Sequence, residues 1–137
     1  MSRIVFKNLD GSVGIIVPAE NTTLTVEAIA EKDVPSGLSY RITDESNIPV
    51  DRTFRAAWTD DNPTETVDVD MSKARDIHMS TLREKRDKKL LALDIEQLQG
   101  ANVAARKQAL RDMPKNIDLT TSSTPEDLKE YTPLVLK

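Results

Sequence analysis

Cysteine is absent from the 137 residues, which excludes disulfides, thiolate metal ligands and cysteine nucleophiles together. A single histidine, His78, leaves too few imidazoles for one chain to build a zinc site of the usual His/Cys kind. Aromatics are also scarce: Phe6, Tyr40, Phe54, Trp58 and Tyr131 are the full set, so the expected core is thin. No apolar run approaches the roughly 18 residues that span a bilayer. A secretory leader is not expected either, because Arg3 is followed by only Ile4, Val5 and Phe6 before Lys7 and Asn8. The expectation is a chain with no membrane partner, no metal and no cofactor.

Charge is what the sequence has in quantity. Lys and Arg number 19, Asp and Glu 23, for a net charge of −4, so nucleic acid is not the expected partner. The charge is unevenly placed. Residues 1–70 carry 6 basic and 13 acidic side chains (−7), and residues 71–137 carry 13 basic and 10 acidic (+3). The acidic run Asp60-Asp61-Asn62-Pro63 marks a boundary, since Pro63 disfavours helix before it. This divides the chain into a β-rich unit over 1–62, a linker or short strand over 63–70 and a helical region over 71–137. The fold class is α+β, a small N-terminal mixed β/α unit followed by a C-terminal helical hairpin.

In the first half, residues 2–7 and 13–17 are β-branched runs separated by Asp10-Gly11, a strong hairpin signal. Val26, Ile29 and Ala30 have the spacing of a two-turn amphipathic helix, with Thr25 or Thr23 as its N-cap. Residues 38–43 alternate Leu38, Tyr40 and Ile42 against Ser39, Arg41 and Thr43, the pattern of a half-buried strand. If the segment 51–60 is helical, Asp51 caps its start. Phe54, Ala57 and Trp58 then share one side, and Arg52 and Arg55 share an adjoining face. Two interpretations of it stand: a small core with solvated arginines, or an interface anchor, since Trp and Arg are enriched at binding hot spots.

In the second half, residues 72–99 contain neither Pro nor Gly and are rich in helix formers. Ala74, His78, Leu82, Arg86, Leu90, Leu93 and Gln97 trace one helical face. Residues 83–89 are seven consecutive charged residues of net +3, with cations Arg83, Lys85, Arg86, Lys88 and Lys89. A helix this polar cannot be packed on all sides, so this stretch is a solvated face or a protein contact. Gly100 breaks the pattern, and a helix over 101–113, ended by Pro114, folds back on Leu90, Leu91, Leu93 and Leu98. Thr124-Pro125 opens a short helix. Opposite charge on the two halves also permits head-to-tail pairing of copies, a homo-oligomer whose association weakens with salt.

No catalytic constellation emerges, and the chain is not expected to be an enzyme. Asp60, Asp61, Asp68 and Asp70 lack the spacing of a Ca²⁺ loop and read as a solvated acidic linker. His78 and Asp76, two apart, do not face each other on a helix. His78 therefore reads as a packing or surface residue.

Two stretches carry a family resemblance. The first is Lys32-Asp33-Val34-Pro35-Ser36-Gly37, then residues 40–49 and 51–58. The second is residues 69–78, then Leu82-Arg83, Lys89-Leu90-Leu91-Ala92-Leu93-Asp94 and Gln108-Ala109-Leu110-Arg111-Asp112-Met113-Pro114. Together they resemble small proteins encoded among the tail genes of tailed bacteriophages and prophages. The second stretch is similar to the C-terminal part of phage tail (fibre) assembly chaperones, in which an Asp-Trp pair is common near the position of Leu93-Asp94. No Trp stands there in this sequence. The resemblance implies a non-enzymatic tail, tail-fibre or head–tail adaptor component located in the virion, and in the host cytoplasm during assembly. Its partners are then other phage structural proteins. The alternatives are an assembly chaperone absent from the mature particle and a phage factor that binds a host protein or nucleic acid.

Overall fold

The computed structural model describes residues 1–61 and 66–137, and the fold is α+β. It comprises two compact units, Met1–Asp70 and Met71–Lys137.

The first unit is built on a three-stranded antiparallel sheet, β1 (Ser2–Lys7), β2 (Val13–Ile16) and β3 (Tyr40–Asp44), in the order β2-β1-β3. The hairpin between β1 and β2 closes where Asp10-Gly11 predicts it, with Asn8 N–H bonded to the Ser12 carbonyl at 2.8 Å. Helix α1 (Val26–Asp33) starts at Thr25, whose hydroxyl accepts from Ala28 N–H at 3.1 Å. Side chains alternate along a strand, so Ile4 joins Ile29, Ala30 and Val34 on the α1 side of the sheet. Val5 and Val13 point the other way and pack with Trp58 and Val67.

That second layer corrects two sequence expectations. In β3 the face expected to be solvated is partly covered: Thr43 is buried and accepts from Asn47 Nδ2 at 2.8 Å. The segment 51–60 is not a helix. Asp51 Oδ1 accepts both the N–H and the hydroxyl of Thr53, closing a turn. A single 3₁₀ turn (Arg55–Ala57) then leads into β4 (Trp58–Thr59), paired antiparallel with β5 (Asp68–Val69) in the register Trp58↔Val69. The bond from Thr53 N–H to Asp51 is one that a helix N-cap also makes, so the start of the segment suits either form. Strand pairing then takes Trp58 and Thr59, residue types that favour the extended state.

The second unit is helical. Helix α2 (Met71–Leu98) has 28 residues and ends on Gly100, at φ +96°. Gly100 N–H bonds to the Gln97 carbonyl and Ala101 N–H to that of Glu96, the double closure of a helix that glycine ends in the left-handed conformation. Helix α3 (Ala104–Asn116) starts three residues later than expected, because Ala101 is used by that closure and Asn102 Oδ1 accepts from Ala104 N–H at 3.4 Å. Pro114 lies within its last turn instead of ending it. Helix α4 (Pro125–Glu130) is capped by the Thr124 hydroxyl, which accepts from Asp127 N–H at 3.1 Å. The core of this unit includes Ala74, His78, Leu82, Leu93, Leu110, Met113 and Leu128. Arg75 ties α2 to the following segment, donating to the carbonyls of Leu119 (3.2 Å) and Ser122 (3.1 Å).

Candidate protein-binding surfaces

The local structure at 51–58 separates the two aromatics from the two arginines. Phe54 and Trp58 are 4% and 3% exposed, so in this chain both are core side chains, set inward by the 3₁₀ turn and by β4. Arg52 and Arg55 are exposed. Arg55 Cζ lies 6.0 Å from the centroid of the Trp58 ring, within the range of a cation–π contact. Arg52 has no side-chain partner among the described residues. The helical face expected to align the two arginines does not form.

The five cations of residues 83–89 are not equivalent. Arg86 is largely covered and pairs with Asp87 at 2.8 Å. Lys89 is half-buried and donates to the Lys137 carbonyl at 3.3 Å. Arg83, Lys85 and Lys88 are exposed and have no partner among the described residues. Three of the five thus present charge to solvent, and two are spent within the unit.

Sequence reasoning missed the adjoining surface. It assigned Leu91 and Leu98 to the contact with α3, yet they are 63% and 88% exposed, and Ile95 between them is 54% exposed. At i, i+4 and i+7 these residues form one stripe. It lies on the side of α2 away from Leu82 and Leu93, whose i, i+11 spacing completes three helical turns on the covered side. Helix α3 is instead held by Leu110 and Met113 and by polar links along its edge: Arg106 to Glu96 (2.8 Å), Lys107 to Gln97 (2.6 Å) and Lys107 to Asp94. The available signal was a second apolar series on α2. One helix cannot aim both series at a single neighbour.

The carboxylates expected to be a solvated linker are partly engaged. Asp60 receives a two-pronged contact from the Arg41 guanidinium, with Nε at 3.1 and 3.2 Å from its two oxygens, and its side chain is only 13% exposed. Asp61 pairs with Lys7. Asn62 and Pro63, the rest of that run, and Thr64 and Glu65 of the expected linker lie outside the described residues. No group of three or more His, Asp or Glu side chains suited to a metal occurs among the described residues.

His78 is buried, with Nε2 2.8 Å from the Tyr131 carbonyl. A carbonyl only accepts, so Nε2 carries the proton and donates. Asp118 is held below the usual carboxylate range by the Thr120 hydroxyl and backbone N–H, which it accepts, with a smaller contribution from Arg75. Asp44 is lowered further, first by the Ser46 backbone N–H, then by the Ser46 hydroxyl and the Met1 amino group. Both carboxylates close turns, and Asp118 also lines an open pocket with Arg75, Asp76 and Arg83.

No helix among the described residues is long and apolar enough to cross a membrane. No family model, curated protein or solved structure matches the chain.

Proposed function

We propose that the chain is a non-enzymatic structural protein of a tailed-bacteriophage particle, a small tail, tail-fibre or head–tail adaptor component held by protein–protein contacts. The observation that carries the contact role is the apolar stripe Leu91, Ile95 and Leu98 on the outer side of α2. Removing one such side chain from water contributes about 1.5–3 kcal/mol, and nothing else in the helical unit covers these three. The exposed cations Arg83, Lys85 and Lys88 precede the stripe on the same helix. They suit the polar margin of a protein interface, where charge steers association more than it adds affinity. The phage setting draws on the resemblance across residues 30–130.

A second reading is an assembly chaperone that leaves before the particle matures. It is supported by the chaperone-like series at 89–94 and 108–114, which falls on the paired helices α2 and α3. Mass spectrometry of purified particles separates the two. Peptides of the chain at constant copy number per particle are expected for the structural component. Their absence from mature particles, with presence in assembly intermediates, assigns the chaperone.

A further inference from the structure

The first unit leaves part of its sheet uncovered beside Trp58. On the face shared by Val5 and Val13, cover fades along β2 and beyond it: Val13 is 8% exposed, Ile15 is half-buried and Val17 is 62% exposed. Ile48, Pro49 and Val50 form the opposite wall of a groove of about 490 Å³, and Val50 at its margin is 95% exposed. Trp58 lines this groove, and its indole N–H is buried without an acceptor among the described residues. Buried donors are almost always paired, so this indole is a sensitive reporter of anything that enters the groove beside it. The charged side chains of the groove are unevenly paired. Arg3 is neutralised by Glu45 at 2.6 Å, whereas Arg52 has no side-chain partner among the described residues. The groove thus has an apolar floor and, among the described residues, a cation without a side-chain partner at its margin.

The shape favours a chain over a small molecule. In the order β2-β1-β3, the outer edge of β2 has no strand beside it among the described residues, and Ile15 and Val17, two apart on the same side, carry that edge along the groove. An unpaired strand edge beside an apolar slot is the arrangement that takes an extended peptide by main-chain hydrogen bonds, with alternate side chains filling the slot. We propose that this groove binds an extended segment of a partner protein in which apolar side chains alternate with carboxylates. The apolar side chains sit on Ile15, Val17 and Ile48, beside Trp58, and a carboxylate pairs with Arg52. The proposal does not depend on the phage setting.

Trp58 is the chain's one tryptophan, so its indole N–H gives a single cross-peak in a ¹H–¹⁵N correlation spectrum of the full chain. The probes are a blocked hexapeptide alternating leucine and aspartate, its leucine–lysine counterpart, and hexanoate. The acidic peptide is expected to move the indole peak saturably. Arg52→Ala should weaken binding about tenfold, the equivalent of one charge-assisted contact. Val50→Glu, at a position that folding does not use, should weaken it as well. An unmoved indole peak, or equal binding of the lysine peptide, overturns the proposal. So does an affinity unchanged in Arg52→Ala. Hexanoate binding as tightly as the peptide would reassign the groove to small amphiphilic carboxylates.

Discussion

Gly14 stands opposite Phe6 in the β1–β2 register, and a Cβ placed on it would lie 2.2 Å from Phe6 Cζ. The ring lies over the glycine and packs against the cluster of Ile4 and Ile29. Gly14→Ala is therefore expected to cost about 1–3 kcal/mol through overpacking, read as a lowered midpoint in urea. Phe6→Leu in the same chain should recover much of the loss; no recovery would place the cost elsewhere. Asp118 supplies a second test. Its folded pKa is depressed below 3.8, so its contribution is present above the unfolded value and is lost as pH falls through the lowered one. Ellipticity of Asp118→Asn should accordingly show a flatter acid response below about pH 4 than the parent; an unchanged acid limb would remove Asp118 from the account. These side-chain roles were only partly legible in the sequence. Thr124 announces its cap through the residues that follow it and Thr25 was one of two candidates, whereas the pairing of Arg41 with Asp60 joins residues 19 apart and has no local signature.

At the scale of elements, α1, α2, the first hairpin and α4 were readable because periodicity, caps and glycine all agree there. The segment 51–60 was ambiguous, because the spacing of Phe54, Ala57 and Trp58 suits a helix and a turn followed by a strand equally, and pairing with β5 decided between them. The α2–α3 connection shows the same dependence on detail. Gly100 ends α2 as expected, but the closure through Ala101 and Asn102 moves the start of α3 to Ala104. Gly100→Ala forces a side chain into the left-handed region, at about 1–2 kcal/mol. It should destabilise the helical unit by that amount and speed amide exchange over residues 96–102. Exchange unchanged there would show that the closure contributes little. The stripe on α2 was legible as residues and not as a surface. Leucine spacing shows that two faces of the helix are apolar, and only the placement of α3 shows which one stays open.

On the scale of the whole chain, the net charge of −4 is the sum of an acidic unit of −7 and a basic region of +3, and each of the two units has its own core. Neither core is large, and each unit keeps apolar residues at its surface: Val17 and Val50 in the first, Leu91, Ile95, Leu98 and Leu134 in the second. Surface of this kind fits a component whose neighbours complete it. The most direct measurement is the copy number of the chain per purified particle, by quantitative mass spectrometry, for the parent and for Leu91→Ser/Ile95→Ser/Leu98→Ser. The account predicts a fixed copy number for the parent and loss of the triple variant from particles, while its circular dichroism and urea midpoint match the parent's. Incorporation of the folded variant at the parental copy number, or absence of the parent itself from mature particles, would contradict it.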